Sequence, residues 1–214
     1  DIDGTGGKLL RGSPEPFAVM PDRIEAGSFL ILGALAAREL SITNCNPCHF
    51  ESLIELLTES GVQMKIGKSE IIVRGKKTRA QKTYGAVSVK THEYPGFPTD
   101  LQAPMVVFLT QTKGESTIFE TIFEGRLSYA EQLSRMGASI EALDMHRVRV
   151  KGETLLQGKV LESTDLRAGL AFVIAAIIAK GESVVHNVYN IDRGYENLDE
   201  RLREVGVSIR RVAA

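Results

Sequence analysis

The segment at residues 93–105 contains the acid best placed for chemistry, Asp100. It reads EYPGFPTDLQAPM, and its prolines favour an extended approach because proline fixes its own φ and disfavours helix at the preceding residue. Thr99 is then positioned to cap a helix, and Asp100 falls in the first turn, where the helix dipole favours a carboxylate. Such an acid can serve as a general base that takes a proton from a nearby hydroxyl. The alternative is a carboxylate that only stabilises the helix.

Two further acids, Asp22 and Asp165, stand like Asp100 at the head of an apolar stretch. From each Asp to a glycine that ends a later predicted helix the spacing is 61 − 22 = 39, 137 − 100 = 37 and 206 − 165 = 41 residues. In all three copies a leucine precedes that glycine by four residues. This pattern predicts three repeats with approximate bounds 18–82, 83–152 and 153–214, and a segment 1–17 that resembles the tail of a preceding unit.

The elements that must position these acids are predicted from periodicity. Residues 168–179 read AGLAFVIAAIIA, and a helix without a polar face must be buried all round. The later helix of each unit, as at residues 50–60, is amphipathic, and residues 70–74 alternate as a strand with one solvent-facing side. We expect one α/β domain over residues 1–214: an inside-out α/β barrel of three βαβαββ-type repeats around buried apolar helices.

Composition argues against several classes of function. A net charge of −1 does not favour a nucleic-acid partner, and no apolar run reaches the roughly 20 residues that span a bilayer. Two cysteines in 214 residues make no disulfide framework, which favours a cytoplasmic location. The run at residues 45–49, CNPCH, matches a haem-attachment pattern, but no other feature supports it. We expect no metal and no cofactor.

Five segments resemble the enolpyruvyl transferase family, and within it the branch that uses UDP-N-acetylglucosamine. They are residues 20–29, 95–102, 132–137, 163–169 and 190–196. The resemblance implies transfer of enolpyruvyl from phosphoenolpyruvate to the 3′-hydroxyl of the nucleotide sugar, with release of phosphate, as the first committed step of peptidoglycan synthesis. It also implies that this chain is the C-terminal half of a two-domain enzyme, that the N-terminal catalytic domain is absent, and that the chain alone is inactive.

By the same resemblance, Asp100 contacts the sugar 3′-hydroxyl and is the general base. Ile122 holds the nucleotide sugar through its backbone, and Arg126 lies near the substrates. The side chain of Ile122 carries no such information, since the alternating Thr-Ile-Phe is ordinary strand sequence.

The resemblance places Arg193 on phosphoenolpyruvate, and Asp165 and Arg167 beside that substrate, with Asp165 as a second catalytic acid. A guanidinium suits this task because it stays charged and binds carboxylate or phosphate through two donors. The structural alternatives are a salt bridge from Arg193 to Asp192 or Glu196, and an Asp165–Arg167 ion pair that caps a buried helix.

The first unit has three charged residues at the corresponding place, Asp22, Arg23 and Glu25, which are candidates for the same cleft. A purely structural role for them is equally open.

Two rival functions also remain. One is the shikimate-pathway enolpyruvyl transferase, which shares the fold, and the other is a non-catalytic binding or scaffold domain.

Overall fold

A computed structural model describes residues 1–75 and 83–212, so the repeat boundary predicted at residue 82 lies outside the described residues. The chain has an α/β fold, in which helices and strands alternate. In chain order the elements are α1 (Arg23–Ala36), β1 (Leu40–Thr43), α2 (Glu51–Glu59), β2 (Gln63–Ile66), β3 (Glu70–Arg74), β4 (Val89–Lys90), α3 (Gln102–Leu109), β5 (Gly114–Phe119), α4 (Ala130–Arg135), β6 (Ser139–Ala142), β7 (Arg147–Gly152), β8 (Val160–Glu162), α5 (Leu166–Ile178), β9 (Val184–His186), α6 (Tyr189–Asp192) and α7 (Leu198–Glu204). Short 3-10 turns, Pro47–Phe50 and Thr99–Leu101, precede α2 and α3.

Helices α1, α3 and α5 form the centre of the molecule and pack against one another. Every residue of α3 is buried, and in α5 the buried run extends from Ala168 to Ala175 before a half-buried last turn. A helix surrounded by protein gains from apolar side chains on every face, which explains why these segments lack an amphipathic pattern. The helix predicted at residues 168–179 is confirmed as part of α5, but the expected burial on every face holds only as far as Ala175.

The strands lie around these helices in three groups. β1, β3 and β2 form an antiparallel sheet, β4, β5, β7 and β6 form a mixed one, and β8 pairs with β9 in parallel. In β3 the buried Ile71 and Val73 alternate with more exposed residues, because one face packs on α1 while the other meets solvent. The strand predicted at residues 70–74 is confirmed.

The predicted α/β class is confirmed, but in the part of the chain that the structure describes the strands do not close into a barrel. Each strand pairs only within its own group, so the three sheets remain separate layers on the central helices. Residues 1–20 carry no helix or strand and are exposed throughout. Among residues 1–75 and 83–212, no helix combines the length and the apolar character that crossing a bilayer demands.

Candidate active site

Asp100 lies in the 3-10 turn before α3 and binds two arginines from distant parts of the chain. Its Oδ1 accepts from Arg126 Nη2 at 2.6 Å, and its Oδ2 accepts from Arg167 Nη2 at 3.2 Å. Arg126 belongs to the loop after β5, and Arg167 to the first turn of α5. The side chain of Asp100 is 32% exposed and the two arginines are 22% and 18% exposed, so this acid–arginine cluster (Asp100, Arg126, Arg167) is partly open to ligands.

Thr99 does not cap a helix, contrary to the expectation from the sequence. Its hydroxyl donates to Glu120 Oε2 at 2.8 Å and accepts from Arg126 Nη1 at 3.2 Å. The N-cap of the 3-10 turn is Pro98, which makes no side-chain bond to the turn. The physical reason is that the Thr99 oxygen accepts from the charged Arg126 guanidinium, which is a stronger donor than a neutral backbone N–H of the turn. Asp100, with no capping duty, is left for the arginines.

Asp165 has a different role from Asp100 although both stand at the same place in the predicted repeat. Its Oδ1 accepts the backbone N–H of Arg167 at 2.8 Å and of Ala168 at 3.0 Å, which makes it the N-cap of α5. The Asp165–Arg167 side-chain ion pair weighed above is wrong, because that guanidinium binds Asp100 instead. Asp165 therefore orients the start of the helix that carries Arg167.

Asp22 likewise caps α1, through bonds of 2.7 and 3.2 Å to the backbone N–H groups of Ile24 and Glu25. Its charge is also among the causes that raise the pKa of Arg167. Glu25 binds Arg201 at 2.5 Å and so ties α7 to α1.

Arg23 lies on the same end of α1 but has no hydrogen bond or ion pair with the cluster. It donates to the His49 carbonyl at 3.3 Å and stacks over the Tyr94 ring at 5.0 Å. The Tyr94 contact places Arg23 against the loop that leads to Asp100.

Tyr195 supports Arg167 and was not singled out from the sequence, although it ends the motif Ile-Asp-Arg-Gly-Tyr. Arg167 Nη1 donates to the Tyr195 hydroxyl at 3.3 Å, and that oxygen lies 3.4 Å from Ser28 Oγ on α1. Burial raises the pKa of Tyr195, so it stays a neutral phenol. Burial lowers the pKa of Arg167, but Tyr195 and Asp100 raise it above its ordinary value, which keeps the guanidinium charged.

Arg193 follows α6 directly, is exposed, and has no ion pair among the described residues. Neither salt bridge considered from the sequence forms: Asp192 is held by Arg211 through bonds of 2.8 and 2.9 Å. The next residue, Gly194, packs so closely on α5 that a Cβ there would lie 2.9 Å from Leu166 Cδ2. Arg193 is therefore held beside the start of α5 with its guanidinium open to an anion.

Ile122 lies on the loop between β5 and Arg126, and its backbone N–H donates to Glu120 Oε1 at 2.8 Å. The next residue, Phe123, stacks its ring under the Arg126 guanidinium at 5.0 Å. The loop that carries Arg126 is thus held by its backbone at one end and by an aromatic ring at the other.

Glu120 is the functional candidate that sequence reasoning missed. It is fully buried, and its carboxylate is bonded to both the Asp100 turn and the Ile122 loop. A single Glu after an alternating strand carries no pattern that would mark it. Nearby, the buried Tyr129 donates to Gln102 Oε1, and burial followed by the Glu120 charge raises the pKa of Tyr129 well above its ordinary value.

The cysteine motif at residues 45–49 lies at the connection before α2. Cys45 is buried, Cys48 is exposed and both are free thiols, while Asn46 caps the 3-10 turn by accepting the Cys48 N–H at 3.2 Å. Within the described ranges, no three or more His, Cys, Asp or Glu side chains come together in a way that could hold a metal ion.

Comparison with known proteins gives a consistent set of matches. A family model described as EPSP synthase (3-phosphoshikimate 1-carboxyvinyltransferase) matches residues 4–202. A relative from Koribacter versatilis, named UDP-N-acetylglucosamine 1-carboxyvinyltransferase, is 41% identical over 97% of this chain and 46% of its own length. A relative of the same name from Desulfofundulus thermocisternus is 43% identical over 97% of this chain and 81% of its own length.

Among solved structures, the enolpyruvyl transferase NikO from Streptomyces tendae superposes with a TM-score of 0.81 at 27% identity, covering 90% of this chain and 44% of that protein. The chain spans about half the length of most of the curated relatives it matches.

Proposed function

Because the chain belongs to the EPSP synthase family of enolpyruvyl transferases, we propose that it is the C-terminal half of a UDP-N-acetylglucosamine enolpyruvyl transferase. The complete enzyme would move enolpyruvyl from phosphoenolpyruvate to the sugar 3′-hydroxyl and release phosphate, at the start of peptidoglycan synthesis in the cytoplasm. Its substrates and an N-terminal catalytic domain are then this chain's partners. The observation that carries the proposal is the acid–arginine cluster, in which one carboxylate and two guanidiniums meet at the ends of central helices.

We also propose that the domain consists of three βαβαββ-type repeats arranged inside out, with bounds near residues 18–82, 83–152 and 153–214, and residues 1–17 as the tail of a preceding unit. The supporting observation is that α1, α3 and α5 are mutually packed and each begins at or just after one of the three equivalent acids. The Asp100–Arg167 contact joins the starts of α3 and α5, which supports an arrangement with the N-terminal ends of these helices together.

In the proposed reaction, Asp100 takes the proton of the sugar hydroxyl as the oxygen attacks C2 of phosphoenolpyruvate, and C3 gains a proton. Loss of phosphate and of a proton from C3 then gives the enolpyruvyl ether. A carboxylate at short range is chemically suited to the first proton transfer. Both Asp100 oxygens bind arginine, so the base must share its lone pairs with the incoming hydroxyl.

Binding of phosphoenolpyruvate to the arginines would make the Asp100 lone pairs available to the hydroxyl. Phosphoenolpyruvate carries a carboxylate and a phosphate, and both are good partners for guanidinium. When the substrate binds Arg167, Arg126 and the exposed Arg193, these cations have a second anion to hold, and Asp100 is released for the hydroxyl. The same cations stabilise the negative charge on the departing phosphate in a site from which the second domain excludes water.

Ile122 and Asp165 have supporting parts in this proposal. The backbone of Ile122 would contact the nucleotide sugar through its carbonyl, since the N–H is already bonded to Glu120. Asp165 would act by fixing the start of α5 beneath the phosphoenolpyruvate site. Asp22 would add negative charge at the same site. Arg23 and Glu25 would hold α1 in place through their bonds to the His49 carbonyl and to Arg201.

The rival within the family is transfer to shikimate 3-phosphate, which the description of the matching family model favours. The relatives that are 41% and 43% identical carry the nucleotide-sugar name, which weighs against it. A third reading, a non-catalytic binding or scaffold domain, requires that the complete protein turn over neither acceptor.

The test uses the complete two-domain protein and follows phosphate release from phosphoenolpyruvate with each acceptor in turn. We expect turnover with UDP-N-acetylglucosamine and none with shikimate 3-phosphate. Asp100→Ala should lose most of this turnover, by about 100-fold or more, while its circular dichroism and melting profile remain those of a folded protein. Near-normal turnover in that variant would refute the assignment of Asp100 as the base.

A further inference from the structure

Glu120 stands out because it is a fully buried carboxylate in the described structure without a cationic partner. It follows β5 directly, and its own N–H donates to the His146 carbonyl at 2.8 Å. Five donors approach its two oxygens. They are Thr91 Oγ1 at 3.1 Å, Ile122 N at 2.8 Å and Phe123 N at 3.2 Å on Oε1, and Thr99 Oγ1 at 2.8 Å and Gln102 Nε2 at 2.9 Å on Oε2.

All five donors are neutral hydroxyl or amide groups. A buried charge needs compensation, and here hydrogen bonds alone supply it. The donors come from three segments that are separate in sequence: Thr91 just after β4, the turn that presents Asp100 together with the first residue of α3, and the loop from Ile122 to Arg126. Thr99 links the last two directly, since its hydroxyl donates to Glu120 and accepts from Arg126. One carboxylate therefore joins the segment that carries the acid to the segment that carries its arginine.

We propose that Glu120 is a positioning residue of the active site, whose buried carboxylate sets the placement of Asp100 relative to the Ile122–Arg126 loop. The proposal rests on the function proposed above. Glu120 makes no contact with substrate in this scheme; it acts through Asp100 and Arg126. Its importance for rate follows from the steep dependence of catalysis on geometry, since a displacement of about 1 Å can cost roughly 100-fold.

The carboxylate form is essential to this role because it has only acceptor sites. A glutamine of the same shape would keep one acceptor oxygen and turn an NH₂ group towards either two or three of the donors. Glu120→Gln therefore preserves the side-chain volume but breaks the hydrogen bonds that one carboxylate oxygen accepted. Two bonds are lost if the NH₂ faces Thr99 and Gln102, and three if it faces the other donors. The variant perturbs the Asp100 turn without opening a cavity.

The experiment compares four forms of the complete protein: wild type, Glu120→Gln, Asp100→Asn and the double variant. Thr112→Val is the matched control, because Thr112 is equally buried, donates to the Leu109 carbonyl at 2.9 Å, and lies at the far end of α3 from Asp100. Each form is measured for kcat, for KM of both substrates and for melting temperature.

We expect Glu120→Gln to lower kcat by about 10- to 100-fold while both KM values stay within about 3-fold. In the Asp100→Asn background the same change should cost less than about 3-fold, because groups that act as a unit are not additive. Thr112→Val should keep kcat within about 2-fold. If Glu120→Gln shows no cooperative unfolding, Thr99→Val replaces it. This isosteric change removes the hydroxyl that links Glu120 to Arg126, and the same expectations apply.

Three results would overturn the proposal. One is a kcat for Glu120→Gln no lower than that of Thr112→Val, and another is an equal loss in the wild-type and Asp100→Asn backgrounds. The third is a rise in KM with kcat unchanged. If the wild type shows no turnover with the nucleotide sugar, the proposed function fails as well, whereas wild-type turnover that Glu120→Gln leaves intact refutes this inference alone.

Discussion

The contrast between Asp100 and Asp165 makes a sharp prediction, because the same substitution at two equivalent positions should have different consequences. Asp100→Asn removes a charge that two arginines share and turns one amide NH₂ towards a guanidinium. Asp165→Asn keeps the carbonyl oxygen that accepts from the two backbone N–H groups of α5. The substitution is the same at both positions, so any difference between the two losses of stability comes from the tertiary environment.

The magnitudes follow from the bonds. A charge-assisted hydrogen bond contributes about 1.5–3 kcal/mol, and Asp100→Asn loses one while leaving two arginines without a counter-charge. Because the Asp100 side chain is 32% exposed, solvent screens part of this, and we expect a total loss of about 2–3 kcal/mol. For Asp165→Asn, asparagine caps as well as aspartate, so only the helix-dipole contribution of about 0.3–1 kcal/mol is lost.

The assay is thermal unfolding followed by calorimetry at neutral pH and moderate salt. At roughly 2–4 °C per kcal/mol for a chain of this size, Asp100→Asn should lower the melting temperature by about 4–12 °C and Asp165→Asn by less than about 4 °C. Equal shifts for the two variants, or an Asp100→Asn protein as stable as wild type, would refute the distinction between an ion-paired acid and a helix cap.

Three further predictions concern the core, a surface carboxylate and the exposed arginine. Ile174→Ala should cost about 2–5 kcal/mol because Ile174 is buried, and Ile178→Ala in the half-buried last turn of the same helix should cost clearly less in urea unfolding; equal losses would contradict a buried centre for α5. Arg211→Met should raise the pKa of Asp192 back towards its ordinary value, since the Arg211 hydrogen bonds lower it. With the folded pKa lowered, this bond stabilises above the unfolded value of about 3.9 and is lost as pH falls through the folded pKa, so a carboxylate NMR titration that shows no difference would contradict it. Arg193→Ala in the complete protein should weaken phosphoenolpyruvate binding much more than nucleotide-sugar binding, and equal losses in calorimetric titration would argue against its role.

Much of the architecture was predictable because burial leaves a direct mark on composition. A helix with no polar face, such as residues 168–179, is stable only in the core. The alternation at residues 70–74 fits a strand in a sheet with one solvent-exposed face. The pairing of the strands into three separate sheets was not predictable in the same way. Periodicity gives the two faces of a strand but not its neighbours, and in the structure each group of strands pairs only within itself.

The same distinction, between sequence order and tertiary contacts, applies to the candidate site. The amino-acid sequence alone determined that three acids recur at the heads of apolar helices, because that depends only on order and spacing along the chain. Only the tertiary structure decided that Asp165 and Asp22 cap their helices while Asp100 meets Arg126 and Arg167, which lie 26 and 67 residues away. Glu120 is the extreme case: an unremarkable glutamate in the sequence becomes a buried acceptor for five donors, since its environment is assembled from segments that meet only when the chain folds.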